Sequence, residues 1–431
     1  MTNMKRSFNI LLPVFLFTFI FFGNSLAEET LNWQDCIKEA AKNHPDLIAA
    51  GEVIKGSEAA KTATASTLFP QINSNLNAST GRTAGSGNGT PARTGDSYSY
   101  GLTGSQLIFD GLKTINTVKA SEQNIKASQQ GYRFTSAEVR LRLRTAFVNL
   151  LRAQDLIHVT EDIAKIRKDN YELITLRYQS GLEHKGALLT AEANLAQALF
   201  EVSQAKREVE LAQRQLTKEM GRKVFTPMIV SADFKVQVPI NEKPDFDILA
   251  LKNPSLLQLT AQKNAAEFSL RSTYGNFFPT LTGQAGANKA GSHWSPQGDE
   301  WNLGLSLSLP IFEGGLRLAQ VSQAKALLNQ LIENERSTKD SVIVALEQTW
   351  VSLVDTIETV GVQYKQLVAT EERSKIAEAE YSTGFITYDN WTIIEDNLVS
   401  AKLTYLNAQA NALLAEANWI QAKGEVLEYA Q

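Results

Sequence analysis

The chain has 431 residues, enough for two or three ordinary domains, and a formal net charge of −4 with Lys and Arg dispersed rather than massed, which argues against nucleic acid as a partner. A single cysteine, Cys36, excludes an internal disulfide and a cysteine-based metal cluster, and His44, His158, His184 and His293 form no ligand-spaced pair. No nucleophile constellation, metal cluster or phosphate loop emerges, so neither an enzyme activity nor a cofactor is expected.

The chain opens with Lys5 and Arg6, a mostly apolar run from Phe8 to Phe22, and Ser25-Leu26-Ala27 before Glu28. That is the form of a secretory signal peptide over 1–27, with an apolar run too short for a spanning helix, so the mature chain is expected to begin at Glu28. Helical spacing follows from Leu31 to Asn43 and from Asp46 to about Leu68, interrupted at His44-Pro45 because proline restricts the residue before it. After Phe69-Pro70 the pattern changes to alternation, predicting strands over 71–80 and 98–109 around a polar, aperiodic loop from Gly81 to Asp96.

A long helix is expected over 112–179, roughly 100 Å at 1.5 Å per residue. Leu143, Leu150, Ile157, Ala164, Tyr171 and Tyr178 recur along it at sevenfold spacing, the pattern of coiled-coil-like packing. Gly181 breaks the pattern, and a return helix over 188–220 ends at Gly221. Residues 222–245, with Pro227, Pro239 and Pro244, read as a linker along the side of the molecule.

The plan then recurs over 246–431: helices to about Tyr274, strands over 280–288 and 301–311, a long helix over 315–382 and a return helix over 388–429. In Trp301 to Ile311 every odd position is large and apolar, while Asn302, Gly304, Ser306 and Ser308 are small or polar. Gly101 and Gly304, Ile108-Phe109 and Ile311-Phe312, Gly111 and Gly314, Tyr178 and Tyr381, Gly181 and Gly384, and Gly221 and Gly424 all stand 203 residues apart. Pro45 and Pro254, and Phe69-Pro70 and Phe278-Pro279, stand 209 apart. The chain is a tandem duplication of a unit over 28–221 and 246–431, mostly α with a β portion, in the order helix, strand, strand, long helix, helix.

Strands of about 11 residues with one apolar face suffice to cross a bilayer when tilted. Four per chain cannot close a barrel, and open sheet edges are not tolerated in lipid, so the barrel must be shared between chains. Two copies would give eight strands, a barrel that side chains fill, whereas three would give twelve and a water-filled lumen.

With the duplication, the corners Leu107 to Gly111 and Pro310 to Gly315, the openings His44-Pro45 and Asn253-Pro254, the Phe-Pro corners and the Tyr-x-x-Gly breaks all in order twice, the sequence resembles the TolC family of outer-membrane export ducts from about Leu31 to Val426. The resemblance implies a homotrimer, a 12-stranded transmembrane β-barrel continuous with a 12-helix periplasmic α-barrel, and a closable iris at the far end. It implies as partners a periplasmic adaptor (membrane fusion protein), an inner-membrane transporter and outer-membrane lipid, in an envelope of the Gram-negative type. The expected function is an outer-membrane channel-tunnel for efflux or type I secretion. The competing expectation is a periplasmic coiled-coil adaptor or scaffold without a pore.

Gly111, Gly314 and Gly315, with Phe109, Pro310 and Phe312, are expected to turn the chain from membrane strand to helix. Gly181 and Gly384 mark the periplasmic tip turns and the adaptor contact, and Tyr98 and Trp301 suit an interfacial aromatic belt. Family members often carry Asp six or nine residues after the tip glycine; here Asn390 and Ile393 follow Gly384, and Ala187 and Thr190 follow Gly181. Asp389, with Glu395 and Asp396 nearby, either lines the constriction in place of that acidic ring or is a solvated helix-face charge.

Overall fold

The computed structural model describes residues 29–84, 91–236 and 242–427; the expected signal segment 1–27 lies outside them. In chain order the elements are β1 (Glu29–Leu31), α1 (Trp33–Asn43), α2 (Pro45–Ser66), β2 (Gln71–Thr83), β3 (Arg93–Phe109), α3 (Lys113–Gln179) and α4 (Lys185–Glu219). They continue with β4 (Met228–Val230), α5 (Phe246–Ala250), α6 (Pro254–Gly275), β5 (Thr280–Gly291), β6 (Gly298–Ser308), α7 (Leu316–Ser382) and α8 (Tyr388–Ala422). The two halves match in length: α2 and α6 have 22 residues each, α3 and α7 have 67, and α4 and α8 have 35.

Local chemistry starts these helices at equivalent points. The His44 Nδ1 accepts the Asp46 N–H at 3.2 Å and the Asn253 Oδ1 accepts the Ser255 N–H at 2.9 Å, each just before a proline whose missing N–H costs nothing in a first turn. A capping box between Asn32 and Asp35 opens α1.

The helices form one layer. Near the sheet α2, α3, α6 and α7 lie side by side, and toward the other end the order is α4, α3, α8 and α7. Buried Ala187, Ala191, Ala198, Ala205 and Ala212 form a stripe of mainly sevenfold spacing along α4, small enough for close approach to α3. Halfway down, Leu143, Phe147 and Leu150 of α3 pack with Cys36, Leu216, Met220 and Met228 in one cluster. Leu346, Trp350 and Leu353 of α7 pack with Phe246 and Trp419 in another. Leu143 has no exposed surface, so cutting it to alanine should cost about 2–5 kcal/mol.

The connecting segment is held against this mid-level core. β4 pairs in parallel with β1, and the Gln154 side chain brackets Val230, donating to its carbonyl and accepting its N–H, both at 2.9 Å. The Arg222 guanidinium reaches Glu29 and Glu39, tying the start of the connection to β1 and α1. Burial of Cys36 pushes its thiol up to about 12, so this cysteine is an inert packing group.

The remaining strands form one antiparallel sheet in the order β2-β3-β5-β6. Its hairpins extend beyond the sequence expectation. β2 runs to Thr83 and β3 starts at Arg93, inside the stretch expected to be loop, and the expected loop after Asn288 is strand at both ends. There Lys289 sits opposite Asp299, with the side chains 3.1 Å apart. At its other end β6 stops at Ser308 rather than Ile311, two residues short of Pro310, which has no N–H for a ladder. The return helix α8 ends at Ala422, well short of residue 429, because the chain turns at Gly424 with φ +74 to +75 as it does at Gly221.

Candidate channel wall and tip

Register divides the sheet into two chemically opposite faces. On one, Leu303 lies across from Ala285 and then Gly104, and Trp301 across from Ala287 and then Leu102. Trp301 is 81% exposed and Leu303 78% exposed, so the middle of this face is an apolar surface, and toward the hairpin ends the same face carries Arg82, Asp96, Lys289 and Asp299. Gln106 also lies on this face, but its amide donates to the carbonyls of Leu68 and Leu107 at 2.9 and 2.7 Å. The opposite face carries amides, hydroxyls and glycine, including Asn73, Asn75, Thr103, Gln284, Asn288 and Asn302. Among the described residues of this polar face, the ionisable groups are Arg93 and Glu300, toward the hairpin ends.

Tyr98 stands opposite Ala78 and Gly291, edge-on to the Trp294 ring at 6.1 Å between centroids. The ladder therefore places Trp301 in the row of Leu102, four residues along β3 from Tyr98, although the two aromatics occupy equivalent places in the duplicated units.

At the strand-to-helix corners Gly111 and Gly314 have φ of +68° and +58°. The next residue is again left-handed in both halves, but it is Leu112 (φ +65°) in the first and Gly315 (φ +86°) in the second. Phe109, Ile311 and Phe312 surround these corners as exposed apolar side chains, Phe312 at 88%. Asp110 caps α3, accepting the Thr114 N–H at 2.9 Å, whereas Glu313 pairs with Arg317 at 2.9 Å.

At the far end each helix pair turns through a Schellman motif. The Leu182 N–H reaches the Arg177 carbonyl at 2.8 Å and the Gly181 N–H reaches that of Tyr178 at 3.0 Å. The Phe385 N–H reaches Glu380 at 2.8 Å and the Gly384 N–H reaches Tyr381 at 3.1 Å. The His184 Nδ1 and the Thr387 Oγ1 then cap α4 and α8. Leu182 and Phe385, at equivalent positions, are left exposed at the two turns.

Sequence reasoning paired Tyr178 with Tyr381, but the structure treats them differently. Tyr178 is partly exposed, whereas Tyr381 is 2% exposed, stacked on Trp391 at 4.5 Å and covered by the Arg177 guanidinium at 4.7 Å. Its hydroxyl donates to Glu183 Oε2 at 2.7 Å, joining the two tip turns. Burial and this bond to a carboxylate hold the phenol above the usual tyrosine range. Glu183 was not expected here, and the duplication could not have signalled it, because the equivalent residue is Ile386.

Asp389 and Asn390 lie exposed in the first turn of α8, and Ile393 is 58% exposed one turn on. Glu395 faces the other way: it is 3% exposed and accepts the Ser374 hydroxyl at 2.5 Å. Burial raises its pKa above the ordinary carboxylate value, outweighing the Ser374 bond and the nearby Arg167. Asp396 pairs with Arg167 across the α3–α8 contact.

The chain is similar to known proteins over most of its length. It is 21% identical to the outer membrane efflux protein BepC of Brucella suis biovar 1 over 94% of this chain and 87% of that protein. It is 26% identical to the outer membrane protein TolC of Escherichia coli (strain K12) over 75% of this chain and 68% of that protein. The fold is shared with the outer membrane channel CmeC of Campylobacter jejuni, with a TM-score of 0.79 at 19% identity over 90% of this chain and 84% of that one. The profile of the outer membrane efflux protein family matches residues 36–222 and again 247–426, once in each half. The chain thus belongs to the outer membrane efflux protein family, a family of transport channels in the outer membrane.

Proposed function

We propose that three copies of this chain form a channel-tunnel, a 12-stranded barrel in the outer membrane continued by a 12-helix tube into the periplasm. The observation that carries this is the sheet: one apolar and one polar face, with β2 and β6 left as open edges. In lipid every backbone N–H and C=O needs a partner, so an exposed edge of this kind requires another strand. The long helices, four abreast at each level, supply the tube.

In this reading residues 1–27 are a signal peptide, 28–221 and 246–431 are the duplicated units, and 222–245 is the connector at mid-height. Gly111 and Gly314–Gly315 turn the wall from sheet to helix, and Tyr98 and Trp301 sit in the interfacial aromatic belt. Gly181 and Gly384, with exposed Leu182 and Phe385, form the end offered to a periplasmic adaptor working with an inner-membrane transporter. Asp389 of each copy, beside Asn390 and Ile393, lines the constriction. Energy for transport comes from the partner.

The test is the mass of the purified protein in mild detergent together with its conductance in planar bilayers. A trimeric particle with discrete channel openings is expected. A monomer that remains inserted in vesicles, or a protein released from membranes by carbonate, would defeat the reading.

A further inference from the structure

Beside the mid-level core, α1, α3 and the end of α8 enclose a cavity of about 300 Å³. Trp33, Leu141 and Ile420 give it apolar walls. Among the described residues its ionisable lining is Arg140 and Arg144 of α3, Glu416 of α8, and Lys423 and Glu425 just beyond that helix. Three cations face two carboxylates, so the walls carry one positive charge in excess.

Both carboxylates are already engaged. Glu425 holds Arg140 at 3.0 Å and also Lys423. Arg144 reaches Glu416 at 3.6 Å, with its guanidinium over the rings of Trp33 and Phe147 at 4.9 and 5.7 Å. Burial holds Arg144 below the usual arginine range, and the charge of Arg140 acts in the same direction while Glu416 opposes them. Arg140 and Arg144 also stand four residues apart on one helix, where like charges repel. A further anion in the cavity would relieve both costs.

The duplicated scaffold does not require this set of charges. At the repeat offset of 203 residues, Arg140 and Arg144 correspond to Ile343 and Glu347, while Glu416 and Lys423 correspond to Gln213 and Met220. The backbone marker beside them is retained, with Gly221 and Gly424 both left-handed. The cationic cavity is therefore particular to the contact of α3 with α8, where the two units meet within the chain.

We propose that this cavity is a binding site for a small monoanion with an apolar body, a carboxylate of about the size of benzoate. Arg140, Arg144 and Lys423 receive its charge, and Trp33, Leu141 and Ile420 receive its body. One negative charge cancels the excess, whereas a phosphate dianion would exceed it and bring no apolar surface. A water takes up about 30 Å³, so the volume admits about ten heavy atoms, at the low end for ligand pockets and too few for a long acyl chain. An occupant bridges α3 to the end of α8 and so braces one unit against the other. The assignment does not depend on the shared barrel.

The test is titration calorimetry on the purified full-length protein in mild detergent, with benzoate, its neutral analogue benzamide, and inorganic phosphate as probes. Even at the modest efficiency of drug-sized ligands, a molecule of this size binds with a Kd of about 10 mM or tighter. Benzoate should saturate one site per chain in that range and raise the thermal unfolding midpoint, while benzamide and phosphate bind at least tenfold more weakly. Arg140→Gln should weaken benzoate at least tenfold, Arg140→Lys should restore most of the affinity, and Ile420→Trp should abolish binding by filling the cavity. Each variant is compared at an unfolding midpoint measured without ligand, and the partly exposed Arg140 pair serves if Ile420→Trp fails to fold. Absence of saturable benzoate binding, or benzoate affinity unchanged in Arg140→Gln, would overturn the site. Benzamide binding as tightly as benzoate would overturn the anion assignment, and phosphate binding as tightly would overturn the apolar body.

Discussion

The Tyr381 hydroxyl donates to Glu183 across 2.7 Å, linking the turn between α7 and α8 to the turn between α3 and α4. If these helix pairs separate when the tube opens, this bond must break. Tyr381→Phe removes it while keeping the stack on Trp391. A hydrogen bond to a charged group contributes about 1.5–3 kcal/mol, so roughly a ten- to hundredfold gain in the open-to-closed ratio is expected in single-channel recordings. Glu183→Gln should give a smaller gain, and an unchanged open fraction in both variants would show that the bond does not hold the tip closed.

Leu112 occupies a left-handed conformation that the second half gives to Gly315. The strain on a non-glycine residue is about 1 kcal/mol, so Leu112→Gly should be neutral to stabilising despite the lost side chain, which is 55% exposed. Gly111→Ala should destabilise, since both its φ and the contact with Phe278 oppose a Cβ. In detergent the thermal unfolding midpoint should fall for Gly111→Ala and stay level or rise for Leu112→Gly; a fall in both would contradict this account of the corner.

Glu395 carries a pKa raised mainly by burial, so the folded protein binds its proton more tightly than the unfolded chain does. The stability this contributes is complete below the ordinary carboxylate value of 4.5 and is lost as pH rises through the folded value. Glu395→Gln keeps a neutral side chain at every pH. Its unfolding midpoint should match wild type in acid and exceed it at mildly alkaline pH. Parallel pH profiles would show that the carboxyl titrates normally.

Asp389 is exposed in the first turn of α8, where the helix N-terminus also favours negative charge. If the proposed trimer brings Asp389 of each copy to the constriction, Asp389→Ala should reduce the preference for cations in reversal-potential measurements. Asp389→Asn should do the same with less change in shape. If both leave selectivity untouched, the residue is an ordinary solvated charge on the helix.

Much of the architecture was written in local pattern. The alternation from Trp301 to Leu309 fixes a strand with one apolar face, because successive side chains point to opposite sides. Proline after His44 and after Asn253 marks helix starts, and glycine after Tyr178 and Tyr381 by three residues marks helix ends, because these signals act through the backbone of their own neighbours. The duplication was legible because equivalent glycines and prolines kept a constant spacing.

What the sequence alone determined, then, was the long helices and the four strands of the sheet, their faces and their repetition, all consequences of contacts short in sequence. Only the tertiary structure decided how equivalent residues part company: Tyr381 buried beneath Arg177 while Tyr178 stays partly exposed, Glu183 recruited where the other half has Ile386, Gly111 covered while Gly314 stands bare. The parallel pairing of β1 with β4, and the Gln154 amide that brackets it, likewise join segments about 200 residues apart or on different elements. The physical reason is that one unit's neighbours differ from the other's, and a side chain's burial, partners and proton affinity are set by what packs against it rather than by the residues beside it in the chain.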